Sequence, residues 1–417
     1  MKRGIEMSDT SARIHGMTTD VHMHPRIFDP RFVSRPDIPN GKAGVSLYSR
    51  TALKNGIQRG LFMPNETLRL YNPDFPDQTE THPYPITTPD RLLAALNVAE
   101  SQSAIMAGMI FGVDPSIIGL DPASPKTRFT TRKINDIFKN KVVQDYTVAL
   151  KIYGDETTGG FNIPLDHIIP VAEVWHRHNR IKPVIMHLED EAVGQVLADW
   201  PAKIPAHIAH VSSAQELAAV IEAKESGKNV TCEATPHHLF LTEATRDALG
   251  AVGCMKPSLK KPEDLRFLWE NLEYIDIFAS DCAPHRLTDK FGADGQELEK
   301  PAFGVTNHDV FLPLFFQAIK EGLLSESQLY ERIVVNSAVR FNLPEMPGMV
   351  TIKLDDYSAE DAVSQTPYGV SPFALSPETP QLVGPVTYVV NHLGSLMVRN
   401  GQIAYEAQPR PENLIKL

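Results

Sequence analysis

The stretch Asp20-Val21-His22-Met23-His24-Pro25-Arg26 sets two histidines one residue apart at the end of a short apolar run. In a strand, residues i and i+2 point to the same face, so both imidazoles reach one point in space. Thr18-Thr19 before the run and Pro25 after it place the pair at the strand's C-terminal end. In a barrel of parallel strands, that is the end where chemistry is done. A bare His-x-His equally marks two polar residues on a strand edge, so the rest of the chain has to decide.

Seven more apolar, β-rich runs follow: Gly60–Asn65, Ala104–Val113, Tyr146–Tyr153, Pro183–Leu188, Ala206–Val211, Asn229–Ala234 and Ile275–Ser280. Helical patterns lie between them, among them Pro89–Ser101, Leu165–His178, Ser213–Ser226 and Lys261–Leu272. Ser213 and Glu216 have the spacing of a capping box. Strands alternating with helices imply parallel βα units, and eight of them imply an α/β fold of the (β/α)₈, TIM-barrel type. An open doubly wound sheet is the alternative, but no Gly-x-Gly-x-x-Gly follows the first strand.

Val310–Gly322 reads as an amphipathic helix and Ser325–Asn342 as another. Beyond Pro347, Met349–Leu354 and Val386–Ile403 read as strands around a Pro- and Ser-rich loop, Ser364–Pro385. Pro73–Pro89 and Pro115–Pro125 read as loops. The expected organisation is a loose, polar N-terminal arm (1–18), a barrel (19–345) and a small β appendage (346–417). That appendage offers either a bare surface or a homodimer contact.

Within this frame, several chemically capable residues close strands. Lys151 ends the fourth run, His187 the fifth, His210 the sixth and Asp281 the eighth. A lysine closing an apolar run usually snorkels to the surface. Buried instead, its amine is neutral. A neutral amine adds CO₂ to give a carbamate, an anion able to bridge two metals. A lone histidine at a strand end is more often a hydrogen-bonded core residue, but two on consecutive strands are harder to dismiss. A carboxylate after an apolar strand is costly to bury without a cation. His22, His24, Lys151, His187, His210 and Asp281 therefore form a candidate set for two divalent metals, with Zn²⁺, Mn²⁺ and Fe²⁺ all suited to imidazole and carboxylate. Two metals lower the pKa of a shared water and polarise a carbonyl. Asp281 is placed to take the water's proton and pass it to a leaving nitrogen.

Composition bounds the partners. The chain has 417 residues and a net charge of −11, which argues against a nucleic-acid surface. Three cysteines without paired spacing suit a reducing compartment, and no run is long enough to span a membrane. The N-terminus lacks the apolar core of a signal peptide, so the expectation is a cytoplasmic protein acting on a small molecule.

The order His-x-His, Lys, His, His, Asp resembles the amidohydrolase superfamily, and within it the dihydroorotases. Met63-Pro64-Asn65, Cys232-Glu233-Ala234-Thr235-Pro236-His237-His238-Leu239-Phe240-Leu241, Lys256-Pro257-Ser258-Leu259 and Ala279-Ser280-Asp281-Cys282-Ala283-Pro284-His285 are similar to dihydroorotase signatures. The resemblance covers about 19–345. It implies zinc as the metal, bridged by carbamylated Lys151. It also implies reversible hydrolysis of the cyclic amide of L-dihydroorotate to N-carbamoyl-L-aspartate in pyrimidine biosynthesis. On that resemblance Arg26 holds the substrate carboxylate, joined by Asn65 and His285, and the backbone of Pro301–Gly304 lines the site. Lys256 stands where many relatives carry arginine, offering a point charge in place of a fork. Some relatives hold a third zinc with a cysteine before the sixth-strand histidine, plus a glutamate and a histidine matching Glu233 and His238. Ala209 takes that cysteine's place here, which argues against a third metal. The loop 154–160 after Lys151 is a candidate for moving over the site. Two alternatives stay open: a hydantoinase or dihydropyrimidinase acting on neutral rings, and a catalytically silent dihydroorotase-like partner protein.

Overall fold

The computed structural model describes residues 3–27, 44–70, 80–120, 128–155, 161–292, 294–364, 371–404, 409 and 411–416. Most of the loop 154–160, namely 156–160, lies outside these residues, as do parts of the expected loops at 71–79, 121–127 and 365–370.

Sixteen strands are described, numbered in chain order. They are β1 (Gly4–Met7), β2 (Ser11–His15), β3 (Thr19–Met23), β4 (Arg59–Phe62), β5 (Thr67–Leu70), β6 (Glu80–Pro83), β7 (Met106–Gly112) and β8 (Thr147–Tyr153). The rest are β9 (Val184–His187), β10 (Ala206–Ile208), β11 (Val230–Ala234), β12 (Ile277–Phe278), β13 (Met349–Tyr357), β14 (Leu382–Val390), β15 (Leu396–Arg399) and β16 (Gln402–Ile403). Eight of them form one parallel sheet in the order β12-β11-β10-β9-β8-β7-β4-β3, matching the eight apolar runs one for one. Every residue of β7 and β8 is buried, as strands covered on both faces should be.

The seam between first and last strand closes by a parallel bridge, Met23 to Cys282, and by side chains. Asp20 accepts from the amides of His22 and Ser280 at 3.1 and 3.0 Å. Tyr48, on the helix Val45–Lys54, accepts from the His24 amide at 3.0 Å and donates to the Cys282 carbonyl at 2.6 Å. An apolar cluster of Val21, Leu61, Ile110, Val148, Ile185, Phe341 and Ile415 fills the barrel below the chemistry. The larger core lies between strands and helices. The fold is thus a (β/α)₈ barrel with a separate antiparallel sheet. No helix among the described residues is long and apolar enough to cross a membrane.

Several expectations need correction. Residues 4–15 are not a loose arm: β1 and β2 pair antiparallel, and β2 pairs with β13. The second sheet runs β1-β2-β13-β14-β15-β16, so both ends of the chain build it. The reason is period-two burial, with Ala12 and Ile14 fully buried between polar neighbours. Part of the expected loop after Pro73 is strand β6, paired with β5. Pro372–Leu375, within the expected loop 364–385, is a short helix, and β14 begins at Leu382. The helix His308–Lys320 is buried continuously from His308 to Ala318, so its helical periodicity does not separate a wet face.

Candidate active site

Parallel strands deliver their C-terminal residues to one end of the barrel, and there the candidate side chains converge. His22, His24, Arg26, Asn65, His187, His210, Lys256 and Asp281 line one cavity. Lys151 and His285 do not line it, but both are buried, and His285 is bonded to Arg26.

The first cluster is His22, His24 and Asp281, each offering a donor atom within 4.8 Å of the others. Asp281 Oδ1 lies 3.3 Å from His22 Nε2 and 3.1 Å from His24 Nε2. His22 Nδ1 donates to the buried Glu233 carboxylate, so in the neutral ring Nε2 turns a bare lone pair toward Asp281. Two lone pairs facing each other at that distance are stable with a cation between them. Burial draws His24 down to about 4, which keeps it neutral and able to ligate. Burial alone would raise Asp281, and only positive charge at this point, on the neighbouring imidazoles or on a bound cation, holds it below the usual carboxylate range.

The second cluster is His187 and His210, whose Nδ1 and Nε2 atoms face each other at 2.8 Å. Lys151, on β8, is fully buried, with no hydrogen-bond partner for Nζ. Burial draws its amine down to about 8, against the opposing pull of Glu233 and Asp281. His210 Nδ1 is likewise buried without a hydrogen-bond partner, and His187 Nε2 has only a Glu189 oxygen, at 3.5 Å. An unbonded amine, facing imidazoles and a lone pair aimed at a carboxylate fit a metal-binding donor set, and they are poor as a purely structural core.

Three of these residues are strained. Arg26, His210 and Asp281 have φ of 58°, 38° and 46°, a region non-glycine residues seldom adopt. Arg26 Nη2 donates to His285 Nε2 at 3.0 Å, and Arg26 Nε and Asn65 Oδ1 are buried without hydrogen-bond partners. Lys256 Nζ lies 3.9 Å from Glu189 and 5.6 Å from the Phe303 ring centre. Phe303, Gly304 and Val305 complete the wall. At Gly304, φ is +136° and a Cβ would fall 2.5 Å from the Ala283 carbonyl, so only glycine fits.

Glu233 and His238 are engaged elsewhere. Glu233 accepts from His22, from His207 Nε2 at 3.0 Å and from the His210 amide at 3.3 Å. His238 bonds Thr235 at 2.9 Å and the Pro257 carbonyl at 3.1 Å. Both ring nitrogens of His238 are taken, which argues against its serving a third metal.

Sequence reasoning missed Tyr153 and His237, which also line the cavity. The Tyr153 hydroxyl is buried without a hydrogen-bond partner, and burial raises it well above the ordinary phenol. Its signal was present, since it lies two residues past Lys151 on a strand and so shares that residue's face. His237 carried no such signal.

No protein-family model matches the chain. It is 29% identical over 346 residues, 82% of its length, to the multifunctional protein pyr1-3 of Dictyostelium discoideum. It is 32% identical over 230 residues, 50% of its length, to a dihydroorotase of Pyrococcus horikoshii. Those matches span 13% and 52% of the two relatives, so the chain covers about half of their length or less. Among solved structures, the L-hydantoinase (dihydropyrimidinase) of Arthrobacter aurescens superposes with a TM-score of 0.71 at 19% identity, over 94% of this chain and 87% of that one. The inactive dihydroorotase-like domain of a Chaetomium thermophilum CAD-like multifunctional protein gives 0.64 at 17%, over 95% and 98%. The chain is thus a sequence relative of proteins named dihydroorotase, built on the same (β/α)₈ barrel as the hydantoinase it superposes on.

Proposed function

We propose that this protein is a dihydroorotase, catalysing reversible ring opening of L-dihydroorotate to N-carbamoyl-L-aspartate in pyrimidine biosynthesis. The observation that carries the reading is a guanidinium and a carboxamide, Arg26 and Asn65, buried with unused hydrogen-bonding atoms in the same cavity as His22, His24 and Asp281. A buried cation beside a metal-type cluster suits a ring bearing a carboxylate, which Arg26 can grip bidentately.

His22, His24 and Asp281 would hold one divalent ion, zinc on the resemblance to dihydroorotases, and His187 with His210 a second. Lys151, carbamylated, would bridge them. Bound, the pair lowers the pKa of water to near neutrality and polarises the amide carbonyl. Asp281 takes the proton of the attacking water and hands it to the leaving ring nitrogen. Arg26, Asn65 and His285 orient the substrate carboxylate, and Lys256 adds a positive point charge at the rim. Glu233 fixes the His22 tautomer. The barrel, 19–345, carries this chemistry in a cytoplasmic setting, without nucleic acid or membrane.

The structural likeness to hydantoinases keeps a neutral cyclic amide as the second reading. A neutral ring has no use for Arg26. The complete ligand set argues against a silent homologue. Turnover of L-dihydroorotate and of dihydrouracil, followed by ultraviolet absorbance on one metal-reconstituted preparation of known metal content, tests the proposal. L-dihydroorotate alone should react. Arg26→Met should cut its kcat/KM by roughly 10- to 100-fold, the worth of a charged hydrogen bond. Turnover of dihydrouracil alone would transfer the protein to the second reading.

A further inference from the structure

We propose that Glu216 is a positioning residue for the His187–His210 pair, acting through the two loops that follow those histidines. The proposal rests on the two-metal reading above.

Glu216 lies on the first turn of the helix Ala214–Glu225 and is 1% exposed. Its carboxylate folds back over the helix start. Oε2 accepts from the Ser212 and Ser213 amides at 2.6 and 3.2 Å. Oε1 accepts from the Asp190 amide at 3.0 Å. The Ser212 hydroxyl lies 3.1 and 3.0 Å from the two oxygens. A capping box needs only the bond to Ser213. The other contacts exceed what helix initiation requires, and they join separate loops. Asp190 is three residues past His187, and Ser212 is two past His210.

Both loops leave their strands through strained backbone. His210 has φ of 38° and Asp190 φ of 50°. Such conformations persist only where the surroundings over-determine them. One planar carboxylate gripping both loops supplies that constraint and fixes how far apart the two imidazoles stand. Lys260 secures the same corner, with Nζ 2.8 Å from the Asp190 carboxylate. A glutamine at 216 keeps the shape but offers one oxygen and an NH₂, so it must face one of the amides with a donor.

The test is a metal titration of Glu216→Gln beside the native protein, with amide hydrogen exchange on both. The expected result is faster exchange at Asp190 or Ser212, with one metal binding 10- to 100-fold more weakly and the other as in the native protein. Asp264→Asn is the control. Asp264 accepts from the Ala214 amide at 2.9 Å, so it serves the same helix start without reaching Asp190 or Ser212. It should lower stability and leave both metals bound. Unchanged exchange in Glu216→Gln overturns the proposal, as does faster exchange with both metals held natively, or an equal metal loss in Asp264→Asn. If Glu216→Gln fails to fold, Ser212→Ala, which removes one hydroxyl and keeps the amide, should weaken the same metal by a smaller factor; no weakening overturns the proposal. A native protein holding fewer than two metals overturns the two-metal reading itself, and the titration shows this before any variant is compared.

Discussion

A lysine ammonium and a metal ion repel each other, so the buried amine of Lys151 is the residue on which the centre turns. Alone, a lysine closing an apolar strand reads as a snorkelling surface residue; Lys151 was legible because His22, His24, His187, His210 and Asp281 recur with it, in order, at the ends of separate strands. Tyr48, which locks the barrel seam, lies on a helix far from any motif, and only the folded chain brings its hydroxyl to Cys282. His238 offers a pH test outside the proposed ligands. Burial holds it at about 4, below the roughly 6.5 of a free imidazole. Between those values the unfolded chain binds a proton that the folded chain does not, so stability rises with pH through that window and levels off above it. Chemical denaturation from pH 4 to 7 should show the slope, and His238→Gln should reduce it by up to about 1.4 kcal/mol per pH unit. An unchanged slope would remove His238 from the account.

At the level of elements, the eight barrel strands were readable because parallel strands buried on both faces leave continuous apolar runs. The N-terminal strands were not, because each is four or five residues long and only half apolar. The strand that ties them to the sheet, β13, lies beyond the barrel, so no local pattern announces that pairing. Ile14 tests how much β2 matters. It is fully buried opposite Val350, and Ile14→Ala should cost about 2–5 kcal/mol, read as a shift in the denaturation midpoint. A cost within ~0.5 kcal/mol would return residues 4–15 to the status of an arm.

For the whole molecule, the proposed metals should act as ligands of the folded state alone. Chelation should lower the thermal midpoint, and free metal at a hundredfold its Kd should restore about 2.7 kcal/mol. An unchanged midpoint would separate the metals from the fold. The sheet that joins the two ends of the chain adds a constraint of timing. β2 is made long before its partner β13, which begins at Met349, and the bridge closing the barrel needs Cys282. At 5–20 residues per second, Ile14 waits about 20–70 s for Val350 to be synthesised. Through that interval the first strands carry unpaired edges and an unfilled apolar face, open to other chains at the same stage. Yield of folded protein should therefore depend on the speed and crowding of synthesis more than the stability of the finished barrel would suggest.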